Sequence, residues 1–105
     1  MAVQITLYLN EADQWRRKPL YLEILNFLRK ENVGNAAAFH AVAGFTEHAQ
    51  VQTSHFVDVA SKLPVVLTFV DSDEHFELVL PTLCEMAPHR LIVRQNVEVE
   101  QGAPD

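Results

Sequence analysis

The chain has 105 residues, room for a single domain spanning 1–105, and its 49% apolar and 21% charged residues suit a core that needs no staples. A formal net charge of −6, eight Lys and Arg against fourteen Asp and Glu, argues against nucleic acid and anionic membrane as main partners, because both need a basic face. One cysteine excludes an internal disulfide, and no apolar run reaches the ~20 residues of a membrane span, so direct membrane insertion is not expected.

The start, Met1 to Thr6, has neither a basic nor an apolar leader pattern, and the expected location is cytoplasmic. Val3, Ile5, Leu7 and Leu9 alternate with Gln4, Thr6 and Tyr8, which predicts a half-buried strand. Asn10 to Lys18 is polar and reads as a loop. Pro19 suits a first helical turn, and Leu20, Ile24, Phe27 and Leu28 recur at helical spacing to about Glu31. Gly34 stands where a helix stop is expected.

Residues 36–45 alternate Phe39, Ala41, Ala43 and Phe45, which predicts a strand. Thr46 to Lys62 is mixed and polar. Its seventeen residues predict a long hairpin with a mobile tip that carries partner recognition, with Gly44 as a hinge at its base. Val65 to Val70 is a β-branched run after Pro64 and predicts a well-buried strand.

Ser72 can cap a second helix, with Asp73 and Glu74 in its first turn and Phe76, Val79, Leu80, Leu83 and Ala87 on one face. Pro81 predicts a kink, and Pro88 an end. Leu91, Val93, Gln95, Val97 and Val99 alternate as a last strand, and Gln101 to Asp105 reads as a frayed tail. The order β-α-β-β-α-β is the ferredoxin-like split unit, an α+β fold with a four-stranded antiparallel sheet and two helices on one face. Apolar residues on both sides of Val65–Val70 leave an open face that asks for a partner, hence a homo-oligomer.

The chemistry is sparse. His40, His48 and His55 lie on or beside the hairpin without HxH or HxxxH spacing, and read as scattered polar residues more readily than as metal ligands. Cys84 flanks an apolar helix stripe and reads as a buried, inert thiol. Asp71, Asp73 and Glu74 read as serving the helix start. There is no Walker loop and no GxGxxG. Arg16-Arg17-Lys18 reads as a solvated loop, an anion site, or partners for Glu11 and Asp13. Arg90 and Arg94 read either as a pair lining one cleft or as salt-bridge partners. No nucleophile or acid–base pair is nominated, so the protein is expected not to be an enzyme and to need no cofactor and no metal.

Leu7-Tyr8-Leu9-Asn10-Glu11-Ala12-Asp13-Gln14-Trp15 with Pro19-Leu20-Tyr21, Ala43-Gly44-Phe45, Leu63-Pro64-Val65-Val66 ending in Val70-Asp71, and Leu80-Pro81 before Glu85-Met86 together resemble domain of unknown function family 190 over about residues 3–99. That family is similar in fold to the PII signalling proteins. The resemblance implies a PII-like homotrimer with small ligands, adenine nucleotides in PII proteins, held in clefts between subunits. It also implies a loop that contacts a transporter or enzyme partner. Gly44 and Phe45 match the start of the PII loop, and Thr46-Glu47-His48 replaces its usual Gly-Arg-Gln. Asn10 and Thr46 stand where family 190 usually has glycines. Pro88-His89-Arg90 stands where PII proteins have a glycine-rich turn and a Lys. The implied ligand-binding residues are Gly44, Phe45, Thr46, His48 and Arg90, and Arg94 joins them on the cleft reading above. The alternative is a divalent-metal-binding trimer of the cation-tolerance type, using His40, His48 or His55.

Overall fold

The computed structural model describes residues 1–47, 50–53 and 63–104. Strand β1 (Ala2–Asn10) is followed by a short ribbon, β2 (Gln14–Trp15) and β3 (Lys18–Pro19), then helix α1 (Leu20–Lys30) and strand β4 (Ala36–His40). A second ribbon pairs β5 (Ala43–Gly44) with β6 (Gln52–Thr53), before β7 (Pro64–Ser72), α2 (Asp73–Met86) and β8 (Leu91–Val97). The main sheet is antiparallel in the order β4-β7-β1-β8, the ferredoxin-like arrangement. No helix among the described residues is long and apolar enough to cross a membrane.

The period-2 pattern sets the core. Val3, Ile5, Leu7 and Leu9 of β1 pair in register with Asp71, Phe69, Leu67 and Val65 of β7, and all eight are buried against the helices. Helix α1 presents Leu20, Ile24 and Leu28 to them, and α2 presents Phe76, Val79, Leu83 and Met86. Ser72 caps α2 as expected, its Oγ accepting from the His75 N–H at 3.1 Å. Pro81 lies inside α2, which runs on through it to Met86.

Four local expectations are corrected. Helix α1 stops at Asn32, not at Gly34. Asn32 takes the left-handed conformation (φ 66°) and donates to the Arg29 carbonyl, while Val33 donates to that of Leu28. These two bonds are a Schellman close, and Val33 packs against the core as that motif requires. The stretch Asn10 to Lys18 is not all loop. A two-residue turn at Arg16 and Arg17, both at positive φ, joins β2 to β3.

Residues 36–45 are not one strand. The chain leaves the main sheet after His40, and Ala43–Gly44 pairs instead with Gln52–Thr53. A Cβ at Gly44 would lie 3.2 Å from Pro64 Cγ, so the ribbon crosses the start of β7 closely enough that a side chain there would make Pro64 give by a few tenths of an ångström. Cys84, finally, is exposed. The buried stripe of α2 runs 76, 79, 83, 86, and position 84 turns about 100° away from it.

The register also settles what the open face carries. Leu91, Val93, Gln95 and Val97 stand opposite Tyr8, Thr6, Gln4 and Ala2, so the apolar set of β8 points away from the helices. One row crosses all four strands: Phe39, Val66, Tyr8, Leu91. Phe39 is 59% exposed, Tyr8 44% and Leu91 61%. The rows beyond it are more polar, and there Gln4 Nε2 donates to Thr68 Oγ1 at 3.2 Å.

Candidate functional site

The end of the sheet that carries the apolar row also carries the base of the excursion between β4 and β7. Asn10, at the end of β1, opens a tight polar turn. Its carbonyl accepts from the Asp13 N–H, its Oδ1 from the Ala12 N–H, and its own N–H donates to Asp13 Oδ2. Asp13 is thereby held facing Arg90, which follows α2. Arg90 Nε donates to Asp13 Oδ2 at 2.8 Å, and Nη2 to Oδ1, a two-armed fork. The remaining arm, Nη1, lies 3.5 Å from Glu47.

Thr46 joins the same assembly, its Oγ1 accepting from Asn10 Nδ2 at 3.4 Å. Asp13, Gln14, Glu47, Met86, His89 and Arg90 line a shallow cavity of about 270 Å³. Phe45 is exposed beside it in sequence, and Gly44 sits against Pro64.

A second clamp closes the two ends of the excursion on each other. Glu11 exchanges two bonds with Leu63: its N–H donates to the Leu63 carbonyl, and its Oε1 accepts from the Leu63 N–H. Glu11 Oε2 lies 3.0 Å from His40 Nε2, and the His40 ring stands edge-on to Tyr21 at 5.6 Å. Glu11 therefore ties the residue before the excursion to the residue after it.

Of the residues singled out in the sequence, Thr46 and Arg90 come together, with Gly44 and Phe45 on the same short segment. Arg94 does not join them. It lies on the helix side of β8, opposite Ile5, with Nη1 2.6 Å from Glu77 and 3.0 Å from Asp73 and its guanidinium over the Phe76 ring. The hydrogen bond to Glu77 raises the guanidinium above its ordinary pKa, against a smaller lowering by desolvation. Arg90 and Arg94 thus take the salt-bridge reading and share no cleft. His48 lies outside the described residues, as do His55 and most of 46–62.

Among the described residues no three His, Cys, Asp or Glu converge as metal ligands, and His40 is engaged by Glu11. Arg16 lies over the Trp15 ring at 5.2 Å, and Glu11 and Asp13 are taken by His40 and Arg90. The Arg16-Arg17-Lys18 tip is left exposed. Missing from the sequence-derived site were Asp13, Glu47 as an ion-pair partner, and Glu11. Their one signal was acidic residues in an otherwise uncommitted turn.

Comparison with known proteins places the chain in a family. The family model described as Uncharacterized ACR, domain of unknown function 190, matches residues 2–99, and the chain belongs to that family. It is 26% identical over 99 residues to a UPF0166 protein of Methanocaldococcus jannaschii, covering 93% of this chain and 91% of that one. It is 24% identical over 95 residues to a UPF0166 protein of Aquifex aeolicus, covering 90% of each.

Proposed function

We propose that the protein is a non-enzymatic regulatory module of the PII-like kind. It is a cytoplasmic homotrimer that binds a small ligand in clefts between subunits and passes occupancy to a transporter or enzyme partner through residues 46–62. The observation that carries this reading is a coincidence of place. The exposed apolar row Phe39–Val66–Tyr8–Leu91 lies at the same end of the sheet as the Asp13–Arg90–Glu47 cluster. A second copy packed on that row would wall the shallow cavity beside Arg90 and turn it into a cleft.

The charge of the site shapes the ligand. Arg90 is already shared between Asp13 and Glu47, so a polyphosphate would have to displace a carboxylate to reach it. A nucleotide with few phosphates, or adenosine itself, fits better than a triphosphate.

Light scattering on the purified chain should give three times its 11.9 kDa mass. Phe39→Glu with Leu91→Glu should yield monomers that keep the far-UV spectrum of the parent. A clean monomer of the unaltered protein at micromolar concentration would overturn the assembly. Thermal shift with adenosine, AMP and ATP should rank the three in that order, and the reverse order would refute the role given to Glu47. Hydrogen exchange across 50–58 should be fast and should slow when ligand binds. Slow exchange in the free protein would sink the reporting loop.

A further inference from the structure

At the opposite end of β7 and α2 lies a cavity of about 380 Å³ that the site above does not use. Asn32 and Asn35 from the connection after α1, His75 from α2, and Gly102, Ala103 and Pro104 from the tail form its walls. Helix α2 has fourteen residues, so the two sites stand about 20 Å apart.

Its floor holds Asp71, the single buried charged side chain among the described residues, 3% exposed. An ionised carboxylate can only accept hydrogen bonds. Asp71 Oδ1 accepts from the Ser72 N–H at 2.9 Å, and Oδ2 lies 2.6 Å from His75 Nδ1. His75 Nδ1 must therefore be the donor. That fixes the ring plane, and in the neutral ring it leaves Nε2 as an acceptor with no protein partner among the described residues. The Ser72 hydroxyl caps the helix through the His75 N–H, so the backbone under the ring is held as well.

A carboxylate that orients an imidazole is how proteins present one ring nitrogen to something else. Here the other polar residues of the wall are Asn32 and Asn35. Among the described residues no Lys or Arg lines the cavity, and its one formal charge is the negative charge of Asp71. One imidazole and two amides make a poor first-row metal site. They suit a group with several N–H donors and a positive charge.

We infer that this cavity is a second binding site, for a small organic cation bearing a primary ammonium group. The ammonium donates to His75 Nε2 and to the amide oxygens of Asn32 and Asn35, and Asp71 supplies the balancing charge through the ring. Anions are disfavoured, since they would meet an acceptor nitrogen backed by a carboxylate with no cation to offset it. The tail forms one wall, so occupancy also orders residues 102–104.

The test is a titration of the isotope-labelled full chain followed by NMR, with ethanolamine hydrochloride as the probe. Sodium acetate and sodium phosphate serve as anionic controls, at ionic strength matched by sodium chloride. Ethanolamine should give saturable shifts at Asn35, Asp71 to His75, Gly102 and Ala103 and at the His75 ring nitrogens, and the anions should not. His75→Gln and Asn35→Ala, the latter an exposed loop position, should each weaken binding about tenfold or more while leaving the rest of the spectrum in place. Absent or non-saturable shifts would overturn the site. Equal response to acetate would overturn the ligand class. Unchanged affinity in both variants would mean that the Asp71–His75 pair serves only the start of α2.

Discussion

At one end of β7 and α2 a carboxylate faces a guanidinium, and at the other a carboxylate faces an imidazole. Asp13 and Arg90 lie on two connecting turns, 77 residues apart in sequence, and the fork between them draws the β1 turn onto the end of α2. Asp71 and His75 are four residues apart on one strand-to-helix junction. The distances are similar, but what is left over differs. Arg90 has both arms on Asp13 and its last one near Glu47, so its chemistry is largely consumed in holding the base of the excursion. His75 is held at one nitrogen and offers the other. A filled fork organises a surface, whereas a half-engaged imidazole presents a group to it.

The sharpest way to break this contrast is Arg90→Ala. Asp13, with its side chain 15% exposed, would lose its cation, and stability should fall by about 2 kcal/mol, roughly 10 °C in melting temperature. Arg90→Lys should recover part of the loss, because an ammonium cannot fork. A neutral Arg90→Ala would mean that the pair does not hold the turn.

Gly44→Ala tests the same end. Its Cβ must push against Pro64 Cγ, and chemical denaturation should register about 1 kcal/mol. At the far end, Ser72→Ala removes the cap of α2 and should cost about 1 kcal/mol with no effect on the oligomer. His75→Gln should cost less, about 0.5 kcal/mol, since a glutamine amide can still reach Asp71 and the ring is partly exposed. A large stability loss in His75→Gln would turn the second end into another structural clamp.

Arg94→Ala should have the smallest effect, and added salt should erase what there is. The raised pKa of Arg94 sets the sign of its pH dependence. Any stability it contributes is full below its ordinary value and is lost only as pH rises through the still higher folded one, so deprotonation of Arg94 should not appear between pH 5 and 9. A change in that window that vanishes in Arg94→Ala would overturn this reading.

Much of this was legible beforehand because strands and helices advertise their own periods. Val3 to Leu9 and Val65 to Val70 alternate, and Leu20, Ile24 and Leu28 recur at helical spacing, so β1, β7, α1 and their order could be read directly, as could the Ser72 cap. The motifs of the family could be read in the same way. The open apolar face was legible in part, from Tyr8 and the two-sided β7. That Phe39 and Leu91 complete its row depends on register, which sets the neighbour of each residue across strands.

The sequence by itself determined the main strands and helices, their order and the family, because these rest on patterns within a few residues of one another, whereas the two short ribbons escaped it. Only the tertiary structure decided which charges meet. Arg90 could have paired with Arg94's partners, or Arg16 with Asp13, on composition alone. The fold brings Arg90 to Asp13 and Glu47, sends Arg94 to Asp73 and Glu77, and leaves Arg16 on Trp15. Ser72, Asp71 and His75 looked like an ordinary helix start in one dimension. The cavity beside Asp71 and His75 exists only where residues 32–35, 70–75 and 102–104 are brought together in space. Charge pairing depends on distance through space and on burial, neither of which a local pattern encodes.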